Sequence, residues 1–137
     1  MNAPALPRIT LVRHGQTEWA LLGRHTGRTD VPLNPHGESQ ARRLEPRLKA
    51  LKPAHVWTSP LSRARRTCEL AGFGAVAEID PDLVEWNYGD YEGRYTGEIR
   101  AKRPDWELFC DGCPRGESPA QAALRQRVIP AGDQTVE

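Results

Sequence analysis

The chain has 137 residues, enough for one hydrophobic core and a single domain over 1–137, yet short for an α/β enzyme with its full set of crossovers. Its 19 Lys and Arg against 18 Asp and Glu leave a net charge of +1, which excludes a protein whose main work is coating nucleic acid or an anionic membrane. Three cysteines, an odd number, and an N-terminal stretch with two prolines and no apolar run point to reduced thiols, no signal peptide, no membrane span and a cytoplasmic location.

Residues 9–12, Ile-Thr-Leu-Val, are predicted to form a buried strand that delivers Arg13-His14-Gly15 to its C-terminal end, where α/β proteins build their sites. The stretch 15–33, rich in Gly, Thr, Arg and Asp, reads as a long irregular loop, a class that is usually functional or disordered. Asn34-Pro35 resembles an N-cap followed by a first-turn proline, and Ala41, Leu44, Leu48 and Leu51 repeat at helical spacing, so a helix is predicted from about 35 to 51. Pro46 lies inside it, where a proline removes a hydrogen bond at a cost of about 3 kcal/mol, and a kink or break is expected near Arg42 to Glu45. His55 to Ser59 reads as a second strand, Arg63 to Gly72 as a helix closing on glycine, and Val76 to Ile79 as a short third strand. Thr96 to Lys102 is a predicted short helix stopped before Pro104, with Trp106, Leu108 and Phe109 covering the core. Ser118-Pro119-Ala120-Gln121 is a capping box that opens a helix to Val128 or Ile129, and 130–137 is expected to be irregular. This alternation predicts an α/β fold, a mainly parallel sheet flanked by helices.

His14 is a candidate nucleophile with the Arg13 guanidinium beside it, and Gly15 lets backbone and ligand approach closely. Standing alone, a strand-end histidine is more often structural. The second predicted strand turns through Pro60 and presents Arg63 at the start of a helix, and arginines at neighbouring strand ends make a phosphate pocket through bidentate guanidinium contacts and helix N-terminal N–H groups. The competing reading, a solvated basic helix face, fits Arg65 and Arg66. Glu85 sits among Trp86, Tyr88 and Tyr91; a carboxyl against aromatic walls would have a raised pKa and could protonate a leaving group, the alternative being a surface glutamate beside core aromatics. The four tryptophans read as packing residues, with Trp19 and Trp86 placed to wall a pocket.

Cysteine chemistry fares worse. A cysteine phosphatase needs five residues between thiolate and arginine, whereas that spacing from Cys110 reaches Gly116 and Arg115 falls one position early. Cys110-x-x-Cys113 is at most half a zinc site with no second pair, so no metal is expected, and Cys68 reads as a core residue.

Leu11 to Trp19, Gly27-Arg28-Thr29-Asp30-Val31-Pro32-Leu33 with Gly37, Ser59-Pro60 with Arg63-Ala64 and Thr67, and Glu85 to Gly93 together resemble the phosphoglycerate mutase-like branch of the histidine phosphatase superfamily. The Glu85 to Gly93 block, with Asp111 to Ser118 after it, is more similar to the sedoheptulose-bisphosphatase-like sugar phosphatases than to the glycolytic mutases. The resemblance implies that His14 attacks a phosphoryl group and forms a phosphohistidine, that Arg13 and Arg63 bind its oxygens and that Glu85 donates the proton. It further implies that Gly15, Gln16, His25, Thr26 and Tyr88 face the substrate and that Ser59 lies near the phosphate. Such transfer needs an in-line nucleophile and charge stabilisation, supplied here without metal or cofactor.

Three departures stand out. Ala20 replaces the Asn that mutases carry after Glu-Trp, which leans away from mutase-type phosphotransfer. Pro46 interrupts a helix the family leaves intact. The family's second histidine, in a Ser-His-Gly-like turn on a late strand, has no counterpart, since residues 56–137 contain no histidine. The domain is therefore expected to lack its C-terminal strands. The expected function is hydrolysis of small sugar phosphates by a metal-independent phosphatase. A catalytically impaired phospho-ligand-binding or scaffold fragment and a mutase are the alternatives; a small phosphorylated metabolite is the expected partner in each, with neither nucleic acid nor membrane.

Overall fold

A computed structural model describes residues 5–126. Two regular helices carry its N-terminal half. Helix α2, Pro35–Leu51, follows the short α1, Glu18–Leu21, and starts where predicted: the Asn34 side chain accepts the Gly37 N–H at 2.8 Å and Pro35 occupies the first turn, where its missing donor costs nothing. The helix runs through Pro46 without the expected break. The carbonyl freed by Pro46 belongs to Arg42, and both residues lie on the exposed face of the helix, away from the buried stripe. Ala41 and Leu48 supply its buried stripe.

Helix α3, Ser62–Leu70, packs against α2, and Arg66 crosses between them to Glu38 at 3.0 Å. Strands β1, Trp57–Thr58, and β2, Glu78–Ile79, pair in parallel with Trp57 opposite Glu78 and Thr58 opposite Ile79. With α3 between them this is a strand-helix-strand unit, and the fold is α/β as predicted, although both strands are shorter than expected. After β2 come single 3-10 turns at Pro81–Leu83 and Gly89–Tyr91, then α4, Thr96–Lys102, α5, Leu108–Asp111, and α6, Pro119–Gln126. The capping box at Ser118 is present: its hydroxyl accepts the Gln121 N–H at 3.2 Å and the Gln121 side chain accepts the Ser118 N–H at 2.9 Å. The predicted helix end at Val128 or Ile129 and the irregular 130–137 lie outside the described residues.

Residues 9–12 depart most from expectation. They enter no strand, and Ile9 and Leu11 are 48% and 81% exposed. A strand exists only where a neighbour takes up its backbone groups; among the described residues β1 pairs with β2 alone, and a cavity lined by Leu11, Val12, Val56 and Trp57 lies between β1 and the 9–12 segment. The 15–33 stretch is more ordered than an irregular loop. Thr17 caps α1 and bridges Leu33, and His25 exchanges backbone hydrogen bonds with Gly93 and Arg94. An apolar cluster of Tyr88, Ile99, Trp106 and Cys113, with Trp86, Tyr91 and Leu108 against it, fixes the second half of the chain. Phe109 does not join it: at 76% exposure it touches only the edge of Trp86, because the four-residue α5 turns Leu108 rather than Phe109 inward. Among the described residues no helix is long and apolar enough to cross a membrane.

Candidate active site

His14 follows the unpaired 9–12 segment and is held by local bonds. Its Nδ1–H donates to the Gly15 carbonyl at 2.7 Å. A carbonyl can only accept, so the proton sits on Nδ1 and the Nε2 lone pair is available. Gly15 is clamped in turn: its N–H donates to Thr67 Oγ1 at 3.0 Å, and a Cβ here would overlap the Gly37 carbonyl of α2. Thr67 Oγ1 donates its own proton to the Arg63 carbonyl at 2.7 Å, four residues back on α3. Burial lowers the His14 pKa, with Arg63 and Arg13 adding to the effect, against the opposing Gly15 bond and the Glu85 carboxylate. The charged form of the imidazole is thereby disfavoured.

Arg63 is 1% exposed. Its Nη1 donates to the Thr29 carbonyl at 3.0 Å and its Nη2 to the Gly27 carbonyl at 2.7 Å, with a longer contact to Thr26 at 3.5 Å. The guanidinium thus ties the 26–29 loop to α3. The same loop is gripped from the opposite side by Glu92, whose carboxylate accepts the N–H groups of Gly27 and Arg28 and the Thr29 hydroxyl at 2.7–3.0 Å. Asp30 accepts the Ser62 N–H at 2.8 Å, just before Arg63. Burial lowers the Arg63 pKa, opposed by Glu85, Asp30 and Glu92.

A cavity of about 430 Å³ is lined by Arg13, His14, Ser59, Arg63 and Glu85. It falls within the usual range for small-molecule sites. These predicted residues are brought together from segments that are remote in sequence. Glu85 is exposed, however, and is not pressed against an aromatic wall; the N–H of Trp86 donates to its carboxylate at 2.9 Å, and of the neighbouring aromatics Trp86 lines the cavity with it. The aromatics around it turn into the Tyr88 and Trp106 cluster instead.

Gly15 and Gln16 follow His14 directly. The Gln16 N–H donates to Gln40 on α2 at 2.9 Å, and its side-chain oxygen accepts from Asn34 at 3.0 Å. His25, Thr26 and Tyr88 form a separate flank that does not line the cavity: the His25 ring stacks on Tyr88 with centroids 4.9 Å apart and bonds Thr96 Oγ1 at 3.0 Å, while the Thr26 hydroxyl donates to the Arg24 carbonyl. Tyr88 has its pKa raised to about 12, first by burial and then by Glu85, which places its hydroxyl within electrostatic reach of the site. Trp19 packs on Gly93 and away from the cavity. Arg65 and Arg66 are exposed, as a solvated helix face requires.

Among the described residues no cluster of three or more His, Cys, Asp or Glu could hold a metal ion. Cys113 is buried, which pushes its thiol up to about 11, Cys110 is exposed, and Cys68 is half-buried at the cavity wall. Thr67, Asp30 and Glu92 are functional supports to which sequence reasoning assigns no role. The i to i+4 spacing of Arg63 and Thr67 is a signal for one of them; the loop-gripping role of Glu92 needs a contact across 65 residues and leaves no local trace.

A family model described as the histidine phosphatase superfamily (branch 1) matches residues 9–137. An acid phosphatase of Mycobacterium tuberculosis is 46% identical over 116 residues, covering 83% of this chain and 57% of that protein. Sedoheptulose 1,7-bisphosphatase of Saccharomyces cerevisiae is 40% identical over 142 residues, covering 87% of this chain and 52% of that protein. The crystal structure of a phosphoglycerate mutase from Thermus thermophilus superposes with a TM-score of 0.71 at 35% identity, over 90% of this chain and 71% of that one. The chain spans little more than half the length of the curated relatives it matches.

Proposed function

Because the chain belongs to the histidine phosphatase superfamily (branch 1), we propose that it carries the nucleophilic half-reaction of a phosphomonoester hydrolase acting on small sugar phosphates. The observation that carries this reading is the neutral His14, its Nδ1–H spent on the Gly15 carbonyl and its Nε2 in one cavity with Arg13, Arg63 and Glu85. Nε2 forms a bond to phosphorus as the ester P–O bond breaks, and Glu85 gives its proton to the departing oxygen. Water then attacks the phosphohistidine, Glu85 takes back a proton, and inorganic phosphate leaves with cleavage of the N–P bond. Arg13 and the remaining Nε–H of Arg63 oppose the negative charge on the equatorial oxygens. We assign the chemistry to these side chains without a metal or cofactor. The activity named for the yeast relative supports a sugar phosphate, a small phosphorylated metabolite, as substrate.

A second reading has its own support. Both Nη groups of Arg63 are engaged by backbone carbonyls, which favours a chain that binds phosphorylated ligands without turnover. Mixing with a labelled sugar bisphosphate followed by an alkaline quench separates the two. Label that survives on the chain and is lost in His14→Ala supports the hydrolase; binding without label above the His14→Ala background sinks it and leaves the ligand-binding reading.

A further inference from the structure

Glu85 lies in a stretch, 84–88, that belongs to no helix or strand, and its carboxylate accepts the N–H of the next residue, Trp86, at 2.9 Å, so where the carboxyl points depends on where the backbone on either side is held. The bonds that hold that backbone come from Glu117 and Arg125. Arg125 Nη1 donates to the carbonyls of Asp82 at 2.8 Å and Val84 at 2.6 Å, immediately before Glu85. Immediately after it, Glu117 Oε2 accepts the Asn87 N–H at 2.8 Å, the Glu117 carbonyl accepts the Trp86 indole N–H at 3.0 Å, and the Glu117 N–H donates to the Asn87 carbonyl at 2.8 Å. The two side chains are joined by paired bonds, Nε to Oε1 at 2.9 Å and Nη2 to Oε2 at 3.0 Å, and are only 12% and 13% exposed. A bidentate pair of this kind fixes an angle as well as a distance. Arg28 adds a weaker contact to Glu117 at 3.4 Å from the loop that Arg63 holds.

We propose that the Glu117–Arg125 ion pair is a positioning device that brackets Glu85 and sets its carboxyl opposite His14. The proposal rests on the reading of Glu85 as proton donor. Neither Glu117 nor the Arg125 guanidinium is a reacting group in it: Arg125 reaches the cavity wall, but four of its five N–H donors bond Glu117 and the carbonyls of Asp82 and Val84. A positioning role differs from a merely structural one in what it costs. Losing the bracket weakens proton donation, which matters for an alkyl phosphate whose alkoxide must be protonated as it leaves, and matters little for 4-nitrophenyl phosphate, whose phenolate leaves unaided.

The test compares the two esters in Glu117→Gln, Arg125→Lys and Glu85→Gln. Glu117→Gln is expected to lower kcat/KM for the alkyl ester by about 10- to 100-fold and for the aryl ester by less than about 3-fold, with Glu85→Gln producing the same selectivity and the double variant no further loss. Arg125→Lys, which keeps the charge but loses the fork, is expected to fall between. Equal loss on both esters, or no loss on either, overturns the proposal. A second readout needs no turnover: nitrogen-15 chemical shifts of the His14 ring are expected to differ between the parent chain and Glu85→Gln, and that difference to disappear when the same pair is compared in a Glu117→Gln background. Persistence of the full difference also overturns the bracket. A parent chain that hydrolyses neither ester defeats the hydrolase reading, while the His14 resonances still decide the role of the ion pair.

Discussion

The proton on His14 Nδ1 is committed to a carbonyl, so the ring can gain charge only at Nε2, the atom proposed to attack phosphorus. Burial and the adjacent arginines oppose that second proton. Between the lowered folded value and the ordinary value of 6.5 the unfolded chain binds more protons than the folded one, so this residue's contribution to stability is present above 6.5 and lost as pH falls through that window. Titration of the His14 ring followed by NMR is expected to give a midpoint below 6.5, and phosphohistidine formation should stay flat from neutral pH down to that midpoint before falling. A midpoint above 6.5 would contradict the placement of the ring. The grouping of His14 with Arg13, Arg63 and Glu85 was legible in the sequence through the resemblance of four motifs in order to one family, each residue alone being a weak signal. The surroundings of Glu85 were not: nearness in sequence to Trp86, Tyr88 and Tyr91 said nothing about which way the aromatic rings would turn, and they turned toward Ile99 and Trp106.

Helix α2 accommodates Pro46 on its exposed face, and the lost hydrogen bond is therefore an uncompensated local cost. Pro46→Ala is expected to stabilise the chain by about 1–3 kcal/mol, measured by urea unfolding, with no effect on ligand binding. An unchanged or lower midpoint would show that the proline serves some contact of its own. Helices α2, α4 and the start of α6 were legible to within a residue, since apolar spacing, caps and prolines are signals carried by the helix itself. The strand expected at 9–12 was not, because a strand is a property of two segments. The apolar run is there, yet among the described residues no neighbour accepts its hydrogen bonds, and its side chains line a cavity or face solvent.

Across the molecule, the described sheet is only two strands of two residues, with the edge of β1 facing that cavity and Leu11 exposed beside it. Such an edge is a template for pairing with other chains, and a sheet this small contributes little cooperative stability. The chain is expected to melt broadly and at low temperature, and to self-associate as its concentration rises. Leu11→Lys should reduce that association in light-scattering measurements. A sharp, high-temperature transition from a monomer would refute the expectation. The site itself is assembled from two anchorages. His14 is pinned through Gly15 and Thr67 to the α2 and α3 pair, whereas Glu85 hangs from Glu117 and the short α6. On the roles proposed for the two residues, loosening of α6 would leave His14 anchored while Glu85 loses its hold. A chain phosphorylated before that loosening would then keep its phosphoryl group longer as temperature rises.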